Sequence, residues 1–361
     1  MKAKRTLTYQ PDYAVPPGET LREVMESLGM TQQELAIRTG LTAQSLNRIF
    51  NGSQPISHET ADALELTTGI RARFWNNLES NYRERLTSFE KTASLKADLN
   101  WLKMIPVNEL ILRGAIQKGA DLVELLRSTL SFYGVSSVSA WQALWESPAV
   151  AARRSACFET LPGPASAWIR LGELQANSME CRPYSREKLM QAIPELRKLT
   201  REQDAQAMAE NMRRICAECG VALALVREMK KVPWNGATRW LTPEKAMVLL
   251  NLRGKGEDRF WFSFFHEIGH VLHDSKKDLL INDGTKTDPR EQRADDFAAA
   301  ALIPSEYDVH VMSIRSQEEL IALAKKLDIA PGIVAGRYQF LSKKWGSYKK
   351  TIRSFSWKEN A

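Results

Sequence analysis

His266-Glu267-Ile268-Gly269-His270 places two imidazoles four residues apart, with a carboxylate beside the first. On a helix of 3.6 residues per turn, positions i and i+4 share a face, so both rings can reach one metal ion. Glu267 lies about 100° further round, where it can act as a base toward water at that metal without being a ligand. H-E-x-x-H also arises by chance on surface helices, so a third ligand is required. Catalytic zinc sites take three protein ligands and keep the fourth position open. Downstream, Glu291-Gln292-Arg293-Ala294-Asp295 supplies a second i, i+4 pair on another expected helix. Glu291 completes a His2Glu set for Zn2+. Asp295 can accept the spare ring N–H of a ligating histidine and fix its tautomer. His273 sits about 10 Å along the axis from His266, too far for one ion to take both from a straight helix, and reads as a helix-end residue or one that backs a ligand from behind. Tyr307, His310 and His273 are weak candidates for an oxyanion donor.

Elements must hold these side chains together. With 361 residues the chain is too long for one ordinary core. "VALALVRE", "GATRWLT" and "KAMVLLNLRG" are short apolar or alternating runs between turn residues and read as strands, with "KDLLIND" a further candidate. The segment of Ala246–Leu252 is expected to be the edge strand along which an extended substrate lies. "PREQRADDFAAAALIP" reads as a helix stopped by proline, and two more helices follow, joined near Asp328 and Pro331. Residues 93–206 look helical and carry no chemical constellation. The expected fold is mainly α and multidomain: an all-α N-terminal domain over 1–92, a helical middle segment over 93–206, and an α+β zincin-like domain with a small sheet over 207–361.

The N-terminal region reads as short helices. In "TQQELAIRTGLTAQSLNRIFNG", Thr31 and Glu34 have the capping-box spacing, Gly40 makes a tight turn, and Thr42 starts a second helix. Leu35, Ala36, Leu46 and Ile49 would pack the two helices together. Gln32, Thr42, Ala43, Gln44, Ser45, Asn47 and Arg48 are then left to face the major groove of double-stranded DNA, where Gln and Asn can read adenine and Arg can read guanine.

Net charge is +7, yet residues 1–90 hold ten Lys/Arg against eleven Asp/Glu, so the basic excess lies elsewhere. Part of it is the tail, residues 341–361, with six basic residues and one acidic. Such a tail either meets phosphates or is a solvated end with anchoring aromatics. Cys157, Cys181, Cys216 and Cys219 include one C-x-x-C, with no second pair nearby to complete a structural zinc site. No signal-peptide pattern and no run of about 18 apolar residues occurs, so a cytoplasmic protein without a membrane span is expected.

"FWFSFFHEIGHVLH", "REQRADDFAAAALIP" and "LAKKLDIAPGIVAGRYQF" resemble the ImmA/IrrE family of zinc metallopeptidases over roughly residues 207–340. The resemblance implies zinc on His266, His270 and Glu291, with Glu267 as base. It also implies a metalloendopeptidase of the gluzincin kind, cutting helix-turn-helix repressors. Many members carry Glu where this chain has Arg293, which leaves Glu291 as the one glutamate available there. "PPGETLREVMESLGMTQQELA" and "FWNNLESNY" resemble the XRE helix-turn-helix family, nearest its HigA-type antitoxin branch. Together the resemblances imply a transcription regulator fused to a peptidase: a homodimer on an operator, acting on a repressor or on itself. The alternative is an antitoxin-like autoregulator with a toxin partner, in which zinc only stabilises the fold.

Overall fold

The computed structural model describes residues 13–146, 162–276, 279–281 and 288–357. The chain divides into two compact units, Met1–Leu99 and Asn100–Ala361.

In the first unit the described helices are α1 (Pro17–Ser27), α2 (Gln32–Thr39), α3 (Ala43–Phe50), α4 (His58–Thr68) and α5 (Ala72–Ala97). Thr31 caps α2 by accepting the Glu34 N–H, the chain turns through Gly40, and Thr42 caps α3 by accepting the Ser45 N–H. Leu21, Leu35, Leu46, Ile49, Leu64 and Trp75 form the core, removed from water. Buried Glu79 on α5 accepts from Ile56 N–H at 3.0 Å and from Arg83, whose guanidinium also donates to Gly52 O. This network ties α5 to the chain that leaves α3.

The second unit begins with helices: α6 (Val107–Leu112), α7 (Leu122–Tyr133), α8 (Val138–Trp145), α9 (Pro162–Asn177), α10 (Arg186–Lys198) and α11 (Ala205–Glu218). Strands β1 (Val221–Leu225), β2 (Gly236–Thr242) and β3 (Lys245–Leu250) follow, then α12 (Glu257–His273), β4 (Leu279–Ile281), α13 (Pro289–Leu302), α14 (Asp308–Ser313), α15 (Gln317–Leu327) and α16 (Pro331–Ser342). The sheet order is β1-β3-β2-β4. β2 and β3 form an antiparallel hairpin, and β3 returns parallel to β1. The core gathers Val221, Leu223, Val248 and Leu250 of the sheet against Trp261, Phe264, Phe265 and Ile268 of α12. No described helix is long and apolar enough to cross a membrane.

Three expectations need correction. The border at 92/93 falls inside α5, which runs on to Ala97 because neither Gly nor Pro interrupts it. The border at 206/207 falls inside α11, and the 93–206 segment is no separate body: α9 packs on the sheet, where a Cβ at Gly172 would lie 2.8 Å from Leu249. β3 is central, so its backbone groups are used on both sides and Ala246–Leu252 cannot serve as an edge. The tail is anchored as far as residue 357. Arg353 binds buried Glu257, Phe355 is buried, and Trp357 Nε1 donates to Glu228. Cys216 and Cys219 are buried at the end of α11, and Cys157 lies outside the described residues.

Candidate metal centre and DNA-facing helix

Helix α12 starts after Gly256 with Glu257 and Asp258 in its first turn, where carboxylates suit the positive helix end. It is buried almost all round, and its polar residues therefore have to find partners inside the protein. The neighbour that supplies them is α13. Gly269 lets the two helices close: a Cβ there would lie 3.2 Å from Ala294 Cα. Ala294 and Ala298 keep that face of α13 small, and Asp288 caps its start by accepting the Arg290 N–H. The close approach brings Glu291 and Asp295 against the histidines.

His266 Nε2 is 3.2 Å from one Glu291 oxygen and His270 Nε2 is 3.3 Å from the other. The two Nε2 atoms lie 3.0 Å apart. These three residues are the group among the described residues whose ligand atoms converge closely enough to hold a metal ion. His266 Nδ1 lies 2.8 Å from Asp295 Oδ1, and His270 Nδ1 lies 2.6 Å from Asp274 Oδ2. A carboxylate can only accept, so each Nδ1 carries a proton, and a ring that has given up its Nε2 proton turns a lone pair inward. Two inward lone pairs and a carboxylate repel one another unless a cation or protons sit between them. The donor set therefore fits a divalent metal with nitrogen and oxygen ligands.

Charge balance at the site follows the same geometry. Burial alone would lower the His266 and His270 pKa values, but Asp295 with Glu291, and Asp274 with Glu291, outweigh it and raise them to about 10 and about 9. Burial would raise Glu291, yet its hydrogen bonds to both rings bring it down to about 2.

Glu267 is fully buried beside this cluster. Burial raises its pKa, and the nearby histidines and Thr238 only partly oppose that. Thr238 Oγ1 on β2 donates to Glu267 Oε2 at 2.6 Å. Oε1 has no hydrogen-bond partner among the described residues. His273 is exposed and packs against Phe297, outside the cluster, while the Tyr307 and His310 rings lie tilted against each other with centroids 5.8 Å apart.

Sequence reading missed three residues here. Asp274 had a local signal, being four residues after His270, on the same side of the helix. Its second oxygen takes Arg293, which accounts for the arginine at that position. Thr238 and Gly236 come from a strand about thirty residues upstream and had no local signal.

On the first unit, Ala43, Gln44, Asn47 and Arg48 stand exposed on α3. Thr42 and Ser45 are engaged with each other in the cap, and Gln32 Nε2 donates to Ala43 O at 3.3 Å. Leu35, Ala36, Leu46 and Ile49 are buried, as the spacing predicts.

Residues 221–327 match the model of a peptidase family described as the IrrE N-terminal-like domain, and residues 21–75 match a helix-turn-helix family model. The first match runs from the start of β1 to the end of α15, and so takes in both histidines, Glu291 and Asp295. No curated protein matches the chain. The chain thus carries one segment similar to a helix-turn-helix family and another similar to a peptidase family.

Proposed function

We propose that the protein is a DNA-binding regulator with a zinc-dependent endopeptidase in the same chain, and that it hydrolyses a peptide bond in a regulatory protein, a helix-turn-helix repressor or the chain itself. The observation that carries this reading is the convergence of His266, His270 and Glu291 beside a buried carboxylate that is not one of the three. A metal site that only stabilised the fold would have no use for Glu267.

Zn2+ bound by His266, His270 and Glu291 would supply a Lewis acid that polarises the scissile carbonyl and acidifies water. Asp295 and Asp274 hold the Nδ1 protons and keep both Nε2 lone pairs aimed inward. Glu267 takes a proton from the attacking water and later delivers it to the nitrogen that leaves when the C–N bond breaks. Burial raises its pKa, which makes it a better proton acceptor than an exposed carboxylate, while a carboxylic acid remains acidic enough to pass the proton on to the leaving nitrogen.

The exposed face of α3 is assigned to the operator, with Gln44, Asn47 and Arg48 on base edges and a homodimer on two half-sites about one DNA turn apart. The protein is assigned to the cytoplasm, where operators and repressors are. A toxin partner belongs to the antitoxin-like alternative.

The test compares new protein N-termini, by mass spectrometry, in cells carrying the wild type and Glu267→Gln. Fragments present only with the wild type are expected. If the amide variant, still holding zinc, yields the same fragments, the peptidase reading fails and the autoregulator reading replaces it.

A further inference from the structure

Glu267 is held by its own helix on one side and by β2 on the other. Gly236 and Thr238 are two residues apart on that strand, so both face the same side of the sheet. Thr238 is buried, and its hydroxyl donates to Glu267 Oε2 at 2.6 Å. A Cβ at Gly236 would lie 2.4 Å from Glu267 Oε1 and 2.8 Å from its Cδ. The backbone at Gly236 is not in the left-handed region, so the glycine is needed there for space rather than for conformation.

The strand under the carboxylate is itself fixed. Gly236 pairs with Leu250, and Thr238 pairs with Val248 on one side and Leu280 on the other. Just upstream, Asn251 Nδ2 donates to Trp234 O at 2.7 Å and Asn251 N–H to Asn235 O at 3.1 Å. The carboxylate is therefore treated unequally: Oε2 is occupied, while Oε1 lies over a glycine with no partner among the described residues.

We propose that Gly236 and Thr238 are positioning residues that fix the rotamer of Glu267 and leave Oε1 as the oxygen that carries the proton. The inference rests on the peptidase reading given above. Water gives its proton to Oε1 as its oxygen bonds to the peptide carbon. When the C–N bond breaks, that proton passes from Oε1 to the leaving nitrogen. Thr238 keeps its own proton throughout, and its hydrogen bond to Oε2 holds the same geometry in both steps.

Three variants separate positioning from bulk stability. Thr238→Val keeps the shape and removes the donor. Thr238→Ser keeps the donor and removes a methyl. Gly236→Ala adds one methyl at a point where the end of the Glu267 side chain is the group that must yield. Crystal structures of the zinc-loaded full chain should show Glu267 in the wild-type rotamer in Thr238→Ser. In Thr238→Val and Gly236→Ala the carboxylate should be displaced by about 1 Å or more, with zinc content unchanged. A misplacement of that size costs roughly 100-fold in rate. The Glu267-dependent fragments in cells should fall accordingly in those two variants and return in Thr238→Ser. An undisplaced Glu267 in both Thr238→Val and Gly236→Ala overturns the proposal, as does equal loss of zinc or of fragments in Thr238→Ser and Thr238→Val. If Glu267→Gln itself leaves the fragments unchanged, the peptidase reading falls, and the rotamer comparison still decides whether β2 seats the carboxylate.

Discussion

Asp274 and Asp295 both back a histidine of the metal cluster, but they do so in different surroundings. The Asp274 side chain is 2% exposed and that of Asp295 is 39% exposed. Removing the carboxylate that orients a ligating imidazole costs 10–100-fold in metal affinity as a general matter, or about 1.4–2.7 kcal/mol. Asp274→Ala should lie near the upper end. It leaves the His270 Nδ1–H buried without an acceptor, and water cannot take its place cheaply. Arg293 also loses a partner, but at 54% exposure it returns to water at little cost. Asp295→Ala should lie near the lower end, because water can reach the vacated position and hydrate the His266 ring. Asp274→Asn should fall between wild type and Asp274→Ala, since its carbonyl oxygen still accepts from Nδ1 but the charge is gone. The assay is competition for Zn2+ between the full-length protein and a chelating indicator of known affinity, with circular dichroism confirming the fold. An affinity for Asp274→Ala within about twofold of wild type would refute the reasoning, as would a larger loss in Asp295→Ala than in Asp274→Ala.

Other outcomes follow from the same geometry. The purified protein should hold about one zinc per chain by atomic absorption, and His266→Ala or Glu291→Ala should lose most of it, whereas Cys216→Ser should not. In metal-free protein the histidine pKa values are raised from 6.5 to about 10 and about 9, so their contribution to stability is complete below pH 6.5 and is lost as pH rises through those values. Melting temperatures of chelated protein should therefore fall from about pH 6.5 to about pH 10 and level off above, and Zn2+ binding near neutral pH should release protons, seen by calorimetry in buffers of different ionisation enthalpy. Arg48→Ala and Gln44→Ala should each cost about 1–3 kcal/mol on the cognate operator and little on random duplex, whereas equal weakening on both would place these side chains on phosphates. Thr42→Ala should instead lower stability by about 1 kcal/mol through loss of the α3 cap, measured by denaturant unfolding of the full chain.

What could be read from the sequence was what local periodicity governs. His266 with His270, and Glu291 with Asp295, are i, i+4 pairs, and a helix puts each pair on one face whatever surrounds it. The helix-turn-helix core was legible for the same reason: Leu35, Ala36, Leu46 and Ile49 follow the helical period, and Thr31 and Thr42 are capping residues by type. Asp274 obeys the same i+4 rule and was within reach, but the neighbouring His273 is the stronger metal-ligand type by residue and lies on the same side of the helix, too far along the axis from His266 to share its ion.

Strand order was not within reach, and the consequences run through the site. β1, β2 and β3 follow one another in sequence, but β3 inserts between the other two because the hairpin folds back to pair parallel with β1. The continuous apolar run of β3 marks a strand buried on both faces but does not say which strands pair with its two sides. Once β3 is central, β2 is the strand next to Glu267, and Gly236 and Thr238 acquire their meaning from a partner about thirty residues away. The proposed metal ligands come from two helices that read as such alone, whereas the group proposed to move the proton is oriented by a strand whose place depends on the whole sheet. Substitutions on β2 should therefore impair the chemistry while sparing the metal, and substitutions along the Gly269–Ala294 contact of α12 and α13 should loosen the metal first.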